Sequence, residues 1–563
     1  MNEIVIVKPE KCVGCNACVR ACPAPEANKI RLLENGKYIS AVNPDKCIGC
    51  GTCVKTCRHG ARDFLDDTDT CIAAMGKEKV IILASPAIKT ILPTKWKNVL
   101  DWFKDQGCTV LDVSLGADIC TWAHLRTIND SNVGNLVTQQ CPAVVKYIET
   151  YQPKLVQNLS PIQSPAACTA IYVKKYLRRT NPIAVLSPCI AMKHEALSTE
   201  LINYSITIQK LMEYFDRLGI SIPADTDDGF EYPFDDLQGQ LGSIYSRAGG
   251  LRDNLWANDP DLNISSSDGV RRVFPELDLY AKMSENKHPE VFEVYACEQG
   301  CNMGPASGAK LTTFDVMTTM RQIEIDAKSR RKSTGVMGRG EDRLFKKFDD
   351  ELRVVDFLRN YKPTMPAPMP SSTQLNPIFE KMGKTTDAER TYDCHACGYK
   401  SCRDMATAIF RGLNVPENCI IHAQSVLSSR QAVLDEQSEK LSEVTTQCRA
   451  LSEKLTQNID KISESMNTIG DSTTATGERA GVVKDLLQNI VAFCNANPTM
   501  DIDSVSQLTS ILQTTIDAFG ALDDNVLRTK ESSEIIHDSV DDLMNLTAEI
   551  KTALDKASED PEW

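Results

Sequence analysis

Twenty-two cysteines sit in a chain of 563 residues. Sixteen fall in groups that could share a metal cofactor. Cys12, Cys15, Cys18 and Cys22 follow C-x2-C-x2-C-x3-C, and Cys47, Cys50, Cys53 and Cys57 repeat that spacing 35 residues later. Two-residue gaps let one tight loop wrap a cubane, and the fourth cysteine of each run reaches the neighbouring cluster. Cys12, Cys15, Cys18 and Cys57 are therefore expected on one [4Fe-4S] cluster, and Cys47, Cys50, Cys53 and Cys22 on a second. A zinc ribbon wants two pairs of cysteines, not two sets of four. A third group, Cys394-x2-Cys397-x4-Cys402-x16-Cys419, suits another [4Fe-4S] cluster. His395 and His422 lie beside it, so zinc is the alternative there. Cys141, Cys189, Cys297 and Cys301 form a dispersed fourth group. Thiolates are soft ligands that suit iron–sulfur cofactors. By spacing alone, four scattered cysteines are more often buried small hydrophobes. Cys71, Cys108, Cys120, Cys168, Cys448 and Cys494 have no partner at ligand spacing and read as structural.

The elements that must position these groups follow from periodicity. Residues 77–325 alternate apolar strand-like runs (Val80–Ala84, Ile183–Leu186, Phe292–Tyr295) with helical patterns (Tyr147–Tyr151, Ala170–Leu177). Such alternation argues an α/β domain. Cys189 and Cys297 fall just after predicted strands, and open α/β sheets place their sites at the carboxyl ends of strands. The basic stretch Lys328–Lys332 reads as a solvated loop. Met365–Ser372 reads as a semi-extended Pro-rich linker. Asp404–Ile409 lies on a predicted helix inside the third cysteine group. Beyond His422, Leu427, Leu434, Leu441, Cys448, Leu455, Ile462 and Ile469 fall seven apart, with Val444, Leu451, Ile459 and Met466 between them. That is a heptad seam and predicts a coiled coil. Pro498 separates it from later amphipathic helices. The expected class is multidomain: a ferredoxin-like α+β domain over 1–76, an α/β domain over 77–362, a linker over 363–388, a small Fe–S domain over 389–424 and an all-α coiled coil over 425–563.

Net charge is −14, which argues against nucleic acid and anionic membrane as partners. No signal peptide precedes the first cysteine motif, and no uncharged apolar run reaches about 20 residues. Val80–Leu92 is interrupted by Pro86 and Lys89. Grouped cysteines fit a reducing cytoplasm and, with oxygen-sensitive clusters, an anaerobe.

The words around the dispersed cysteines resemble the three cluster-binding motifs of the [FeFe] hydrogenases. Thr138-Gln-Gln-Cys141-Pro-Ala-Val-Val145 is similar to the family's TSCCPGWV, Ser187-Pro-Cys189-Ile-Ala-Met-Lys-His-Glu-Ala196 to MPCTAKKFEA, and Ala296-Cys-Glu-Gln-Gly-Cys-Asn-Met-Gly304 to ACPGGCINGG. Leu159–Pro165 and Ser246–Leu251 resemble two further family segments, and the likeness runs over residues 78–325. It implies an H-cluster: Cys141, Cys189, Cys297 and Cys301 hold a [4Fe-4S] cubane, and Cys301 bridges to a two-iron subsite. The 394–419 segment resembles the small [4Fe-4S] domain of Rnf B subunits and corrinoid proteins, and the tail resembles chemoreceptor signalling helices.

The sequence departs from the family where protons move. Gln140 stands at the relay cysteine, Met192 at a lysine, Ser187 at a methionine, and Ala123 and His124 at the two relay glutamates. Neither an amide nor a thioether titrates at neutral pH. His124 could substitute, although a core or surface histidine is the plainer reading. Ligands without relay, joined to a signalling tail, resemble the sensory [FeFe] hydrogenases. The expectation is slow turnover or binding of H2, with a redox partner protein, a kinase or phosphatase as output, and a homodimer through the coiled coil. A catalytic ferredoxin hydrogenase with another proton route is the second reading. A non-catalytic Fe–S electron-transfer protein without the two-iron subsite is the third.

Overall fold

The apolar runs become parallel strands buried on both faces. The computed structural model describes residues 3–24, 26–131, 134–226, 232–333, 343–365, 367–499 and 501–558, in two units, Met1–Ala423 and Gln424–Trp563. In the first unit, Ile81–Ala84 pairs with Thr109–Asp112 on one side and Ile183–Ser187 on the other, and Tyr204–Thr207 forms the edge. Ile82 and Ala84 pack on Val99, Phe103, Leu211 and Phe215 of two helices. Ile81 and Leu83 face the opposite way, onto Ala166, Ala170 and Val173. With helices over both faces, no residue of Ile81–Ala84 or Ile183–Leu186 needs to be polar, which gives the continuous run in the sequence. A second parallel sheet runs Ile264–Asp268, Val291–Tyr295, Leu136–Val137.

The N-terminal repeat is a repeat in space. Two antiparallel pairs, Val5–Val7 with Arg62–Phe64 and Asn28–Leu32 with Tyr38–Val42, frame the helices Ala17–Ala21 and Thr52–Thr56. Each helix follows a left-handed residue, Asn16 (φ 58°) or Gly51 (φ 70°), and ends at the fourth cysteine of its run, Cys22 or Cys57.

Two stretches differ from expectation. Lys328–Lys332 is not a loop but the end of the helix Thr313–Ser333. Val316, Met320, Ile323 and Ala327 recur at helical spacing and bury one face. Arg330 donates to Ser243 Oγ (3.0 Å) and Arg331 to Asn258 Oδ1 (3.2 Å), so neither is merely solvated. The span 363–388 is not all linker either. Ser371 and Gln374 form a capping box that starts the helix Ser372–Lys381, whose Leu375 and Phe379 pack against Met405 and Ala406 of the helix Cys402–Phe410. Pro366 lies outside the described residues.

In the second unit the helix that starts at Ile420 runs to Ala496, and Ile502–Ser558 returns antiparallel to it. Ser472 Oγ donates to Asn525 O (2.8 Å), Thr529 donates to Ser472 Oγ (2.8 Å), and Arg479 reaches Ala521 O. The buried positions include Asn458, Ser465 and Ser472 on one helix and Asn525, Ser532, Ser539 and Leu546 on the other, seven apart on each. Of the expected seam, Leu451, Leu455, Ile462 and Ile469 are half-buried beside them. Leu434, Leu441, Ile459 and Met466 remain more than half exposed. The first partner of this helix is therefore the chain's own second helix, joined through buried polar residues flanked by half-buried aliphatic ones.

Candidate metal centres

The four dispersed cysteines meet at the carboxyl ends of strands. Cys141 caps the helix Pro142–Tyr151, four residues past Val137. Cys189 follows Ile183–Ser187, and its N–H donates to Ser187 Oγ (3.3 Å). Cys297 follows Val291–Tyr295, and Cys301 sits in the 3-10 turn Gly300–Met303. Two glycines make this loop fit. A Cβ on Gly300 (φ +65°) would lie 2.4 Å from Ser246 O, and one on Gly304 2.5 Å from Pro188 O. Burial pushes all four thiols up, Cys301 to about 12, and Cys189 is raised further by Cys141, Cys301 and Cys297. Thiols held this close in a dry site give up their protons only to a metal. Among the described residues no three ligand side chains converge on a single ion.

Beside Cys189 and Cys301 lies a cavity of about 70 Å3 lined by Gln140, Ser187, Met192, Tyr245 and Tyr295 among others. Among the described residues, no Asp, Glu, His or Lys lines it. Its two tyrosine hydroxyls are raised far above their usual range by burial. Gln140 is 8% exposed, and neither its Oε1 nor its Nε2 has a hydrogen-bond partner. It lies near the Tyr295 hydroxyl, but that hydroxyl donates to Tyr245 O (2.8 Å). A buried amide without partners costs about 1–3 kcal/mol. A polar group bound beside Cys301 would relieve that cost, so the residues present fit a two-iron subsite.

His124 lies outside that lining and is fully buried. Its Nδ1 is 2.7 Å from Cys120 O and 3.6 Å from Cys120 Sγ, and its Nε2 is 2.8 Å from Ser160 Oγ. Gln139 Nε2 also donates to Cys120 Sγ (3.5 Å), and Cys168 donates to Gln163 O (3.4 Å). Against its burial, contacts with Cys168 and His124 hold Cys120 down to about 5. Cys120 in turn raises His124, again against burial. Cys120 and His124, separate in the sequence reading, thus form a buried, hydrogen-bonded thiol–imidazole pair. Their i, i+4 spacing on the helix Val113–Ser131 was the available signal.

The N-terminal centres carry a residue that spacing did not reveal. Arg62, 5% exposed, donates to Cys18 Sγ (3.2 Å), Asn28 Oδ1 (2.8 Å) and Ser40 Oγ (2.8 Å). It is a buried cation against one cluster's thiolates. At the third group, Cys397, Cys402 and Cys419 are buried and Cys394 is exposed. The Cys402 N–H donates to Asp393 Oδ1 (2.5 Å). His395 turns its Nδ1 to Tyr399 O (3.2 Å).

Residues 78–258 match the family model of the iron only hydrogenase large subunit, C-terminal domain. This part of the chain is similar to the [FeFe]-hydrogenase large subunit. It includes Cys141 and Cys189, while Cys297 and Cys301 follow the matched span. Residues 4–58 match a 4Fe-4S dicluster domain, and residues 391–421 an Fe-S cluster family. The periplasmic [Fe] hydrogenase large subunit of Nitratidesulfovibrio vulgaris is 30% identical over 250 residues, 39% of this chain. The chain spans 59% of that relative's length. Among solved structures, a variant of apo [FeFe]-hydrogenase HydA1 from Chlamydomonas reinhardtii aligns at 16% identity and a TM-score of 0.40, covering 54% of this chain and all of that one. The HydA(deltaEFG) structure, solved for stepwise [FeFe]-hydrogenase H-cluster assembly, aligns at the same identity and TM-score over the same shares.

Proposed function

We propose that this chain is a sensory [FeFe] hydrogenase, which binds or slowly oxidises H2 at an H-cluster and reports through its helical tail. The observation that carries the reading is the lining of the cavity beside Cys301. Beyond the ligand cysteines, it offers no side chain that exchanges protons near pH 7. General acid–base groups contribute about 10²- to 10⁴-fold to such reactions. Cys141, Cys189, Cys297 and Cys301 would hold the cubane, with Cys301 beside the two-iron subsite. When bound, that group supplies the site for H2 and the first proton acceptor. Gln140 orients it through its amide, and Met192, 8% exposed, keeps water out. Cys12, Cys15, Cys18 and Cys57, with Cys47, Cys50, Cys53 and Cys22, hold the two clusters that take electrons away.

The outward apolar stripe of the tail is the proposed dimer surface, and a kinase or phosphatase is the proposed output partner. The cytoplasm remains the proposed location. Among the described residues, no helix is long and apolar enough to cross a membrane. A second reading, a catalytic ferredoxin-linked hydrogenase, draws on the Cys120–His124–Ser160 chain as a substitute proton route. Infrared spectra after supply of the two-iron precursor, followed by H2 turnover on the same sample, separate the readings. CO and CN bands with slow turnover support the sensor. The same bands with fast turnover favour the second reading, and no bands would leave a non-catalytic Fe–S protein.

A further inference from the structure

The ligand groups lie in series, and the series ends at the start of the long helix. Cys47, Cys50 and Cys22 pack in one core with Cys141 and Cys189. Gly51 permits that approach, since a Cβ there would lie 2.3 Å from Pro305 Cβ. Cys18 shares another core with Cys397, Cys402 and Cys419, and Cys53 packs against it. Gly398 (φ +92°) presses its backbone on Val19, where a Cβ would meet Val19 Cβ at 2.9 Å. Asn16 Nδ2 donates to Asn418 Oδ1 (2.7 Å), and Ile30 N to Leu413 O (2.8 Å). The third group is therefore fastened to the ferredoxin domain at the helix Ala17–Ala21.

Cys419 is the last ligand of that group, and its carbonyl accepts from Ala423 N (2.8 Å). It is thus the N-cap of the 77-residue helix Ile420–Ala496, whose first turn holds no acidic side chain. Ile421 packs into the same core as Cys402 and Cys419. We propose that Cys394, Cys397, Cys402 and Cys419 hold the electron acceptor at the end of the series, and that its charge state is read by the helix Cys419 caps. This rests on the sensory reading for the source of electrons but not for the switch itself. An H2 oxidised at the hydrogenase site yields two protons, released to solvent, and two electrons. One electron reduces the cubane at Cys419 and the other a cubane nearer the site, and no protein bond forms or breaks. Reduction adds one negative charge beside the positive end of the helix dipole. The first turns of the helix should therefore be more firmly closed in the reduced state.

The test is hydrogen exchange at residues 420–432 of the full chain, reconstituted anaerobically and matured, with the cubane signals followed by electron paramagnetic resonance. Reduction by dithionite should slow exchange there by about fivefold. Cys402→Ser should abolish the response and leave the two N-terminal cubane signals in place. Should that variant fail to fold, a redox titration of the unaltered chain decides, because the exchange change must share the midpoint of one cubane signal. No change with every cubane reduced, faster exchange, or a midpoint matching no cubane would overturn the proposal. A response to dithionite but not to H2 leaves the switch standing and overturns the H2-sensing reading instead.

Discussion

The hydrogenase-like domain and the tail solve opposite packing problems. In the domain, Ile82, Leu83, Val185 and Leu186 are buried on both sides of a sheet. In the tail, Asn458, Ser465, Ser472 and Ser532 are inside the hairpin while Leu434, Leu441, Ile459 and Met466 face out. Burying apolar surface yields about 25 cal/mol per Å2, and the hairpin leaves part of that surface exposed. The domain keeps its apolar surface inside, whereas the tail leaves a stripe of it outside.

If the outward stripe is a dimer surface, a chain ending at residue 425 should be monomeric by light scattering where the full chain is dimeric. An unchanged oligomeric state would mean that the stripe is covered in some other way. The next effect probes an exception in the domain. Burial pushes the Glu293 carboxyl up to about 7, against hydrogen bonds from Ser266 Oγ (2.7 Å) and Leu251 N (2.9 Å). Its folded pKa exceeds the unfolded value of about 4.3, so its contribution is full below that pH and is lost as pH rises through about 7. The loss should be about 3 kcal/mol, and Glu293→Gln should flatten the melting temperature over that window.

A smaller effect concerns the buried cation near Cys18. Arg62→Leu should lower the potential of the cluster of Cys12, Cys15, Cys18 and Cys57 by about 60 mV, since reduction then loses a compensating charge worth about 1.4 kcal/mol. Spectroelectrochemistry reads this directly. The smallest effect is in the tail's own seam. Ser465→Ala should raise the tail's thermal stability by about 0.5 kcal/mol, because alanine suits a helix better and removes a buried hydroxyl.

What was legible in the sequence was local. Cysteine spacing marked the three compact groups, and apolar runs marked the strands Ile81–Ala84, Ile183–Ser187 and Val291–Tyr295. The motif words brought out the fourth group. What was not legible depends on contacts between distant positions. The Cys120–His124–Ser160 chain joins a helix to a loop 36 residues away. Arg62 reaches Cys18 across 44 residues. The helix Ser372–Lys381 was hidden by the prolines before it, although Ser371-x-x-Gln374 marked its start. Heptads showed an apolar stripe but not that the chain's own second helix would pack on a different one.

Proton delivery, not cofactor binding, is proposed to limit the site beside Cys301. Gln140→Cys tests it most directly, with hydrogen evolution measured under a strong reductant at cofactor loading matched by infrared. A thiol there has a pKa of about 8.5 and can relay a proton, so turnover should rise toward the low end of the roughly 10²- to 10⁴-fold range of acid–base catalysis. Met192→Lys alone should do less, because it adds a charge without restoring a path. No gain from Gln140→Cys at equal loading would contradict the claim.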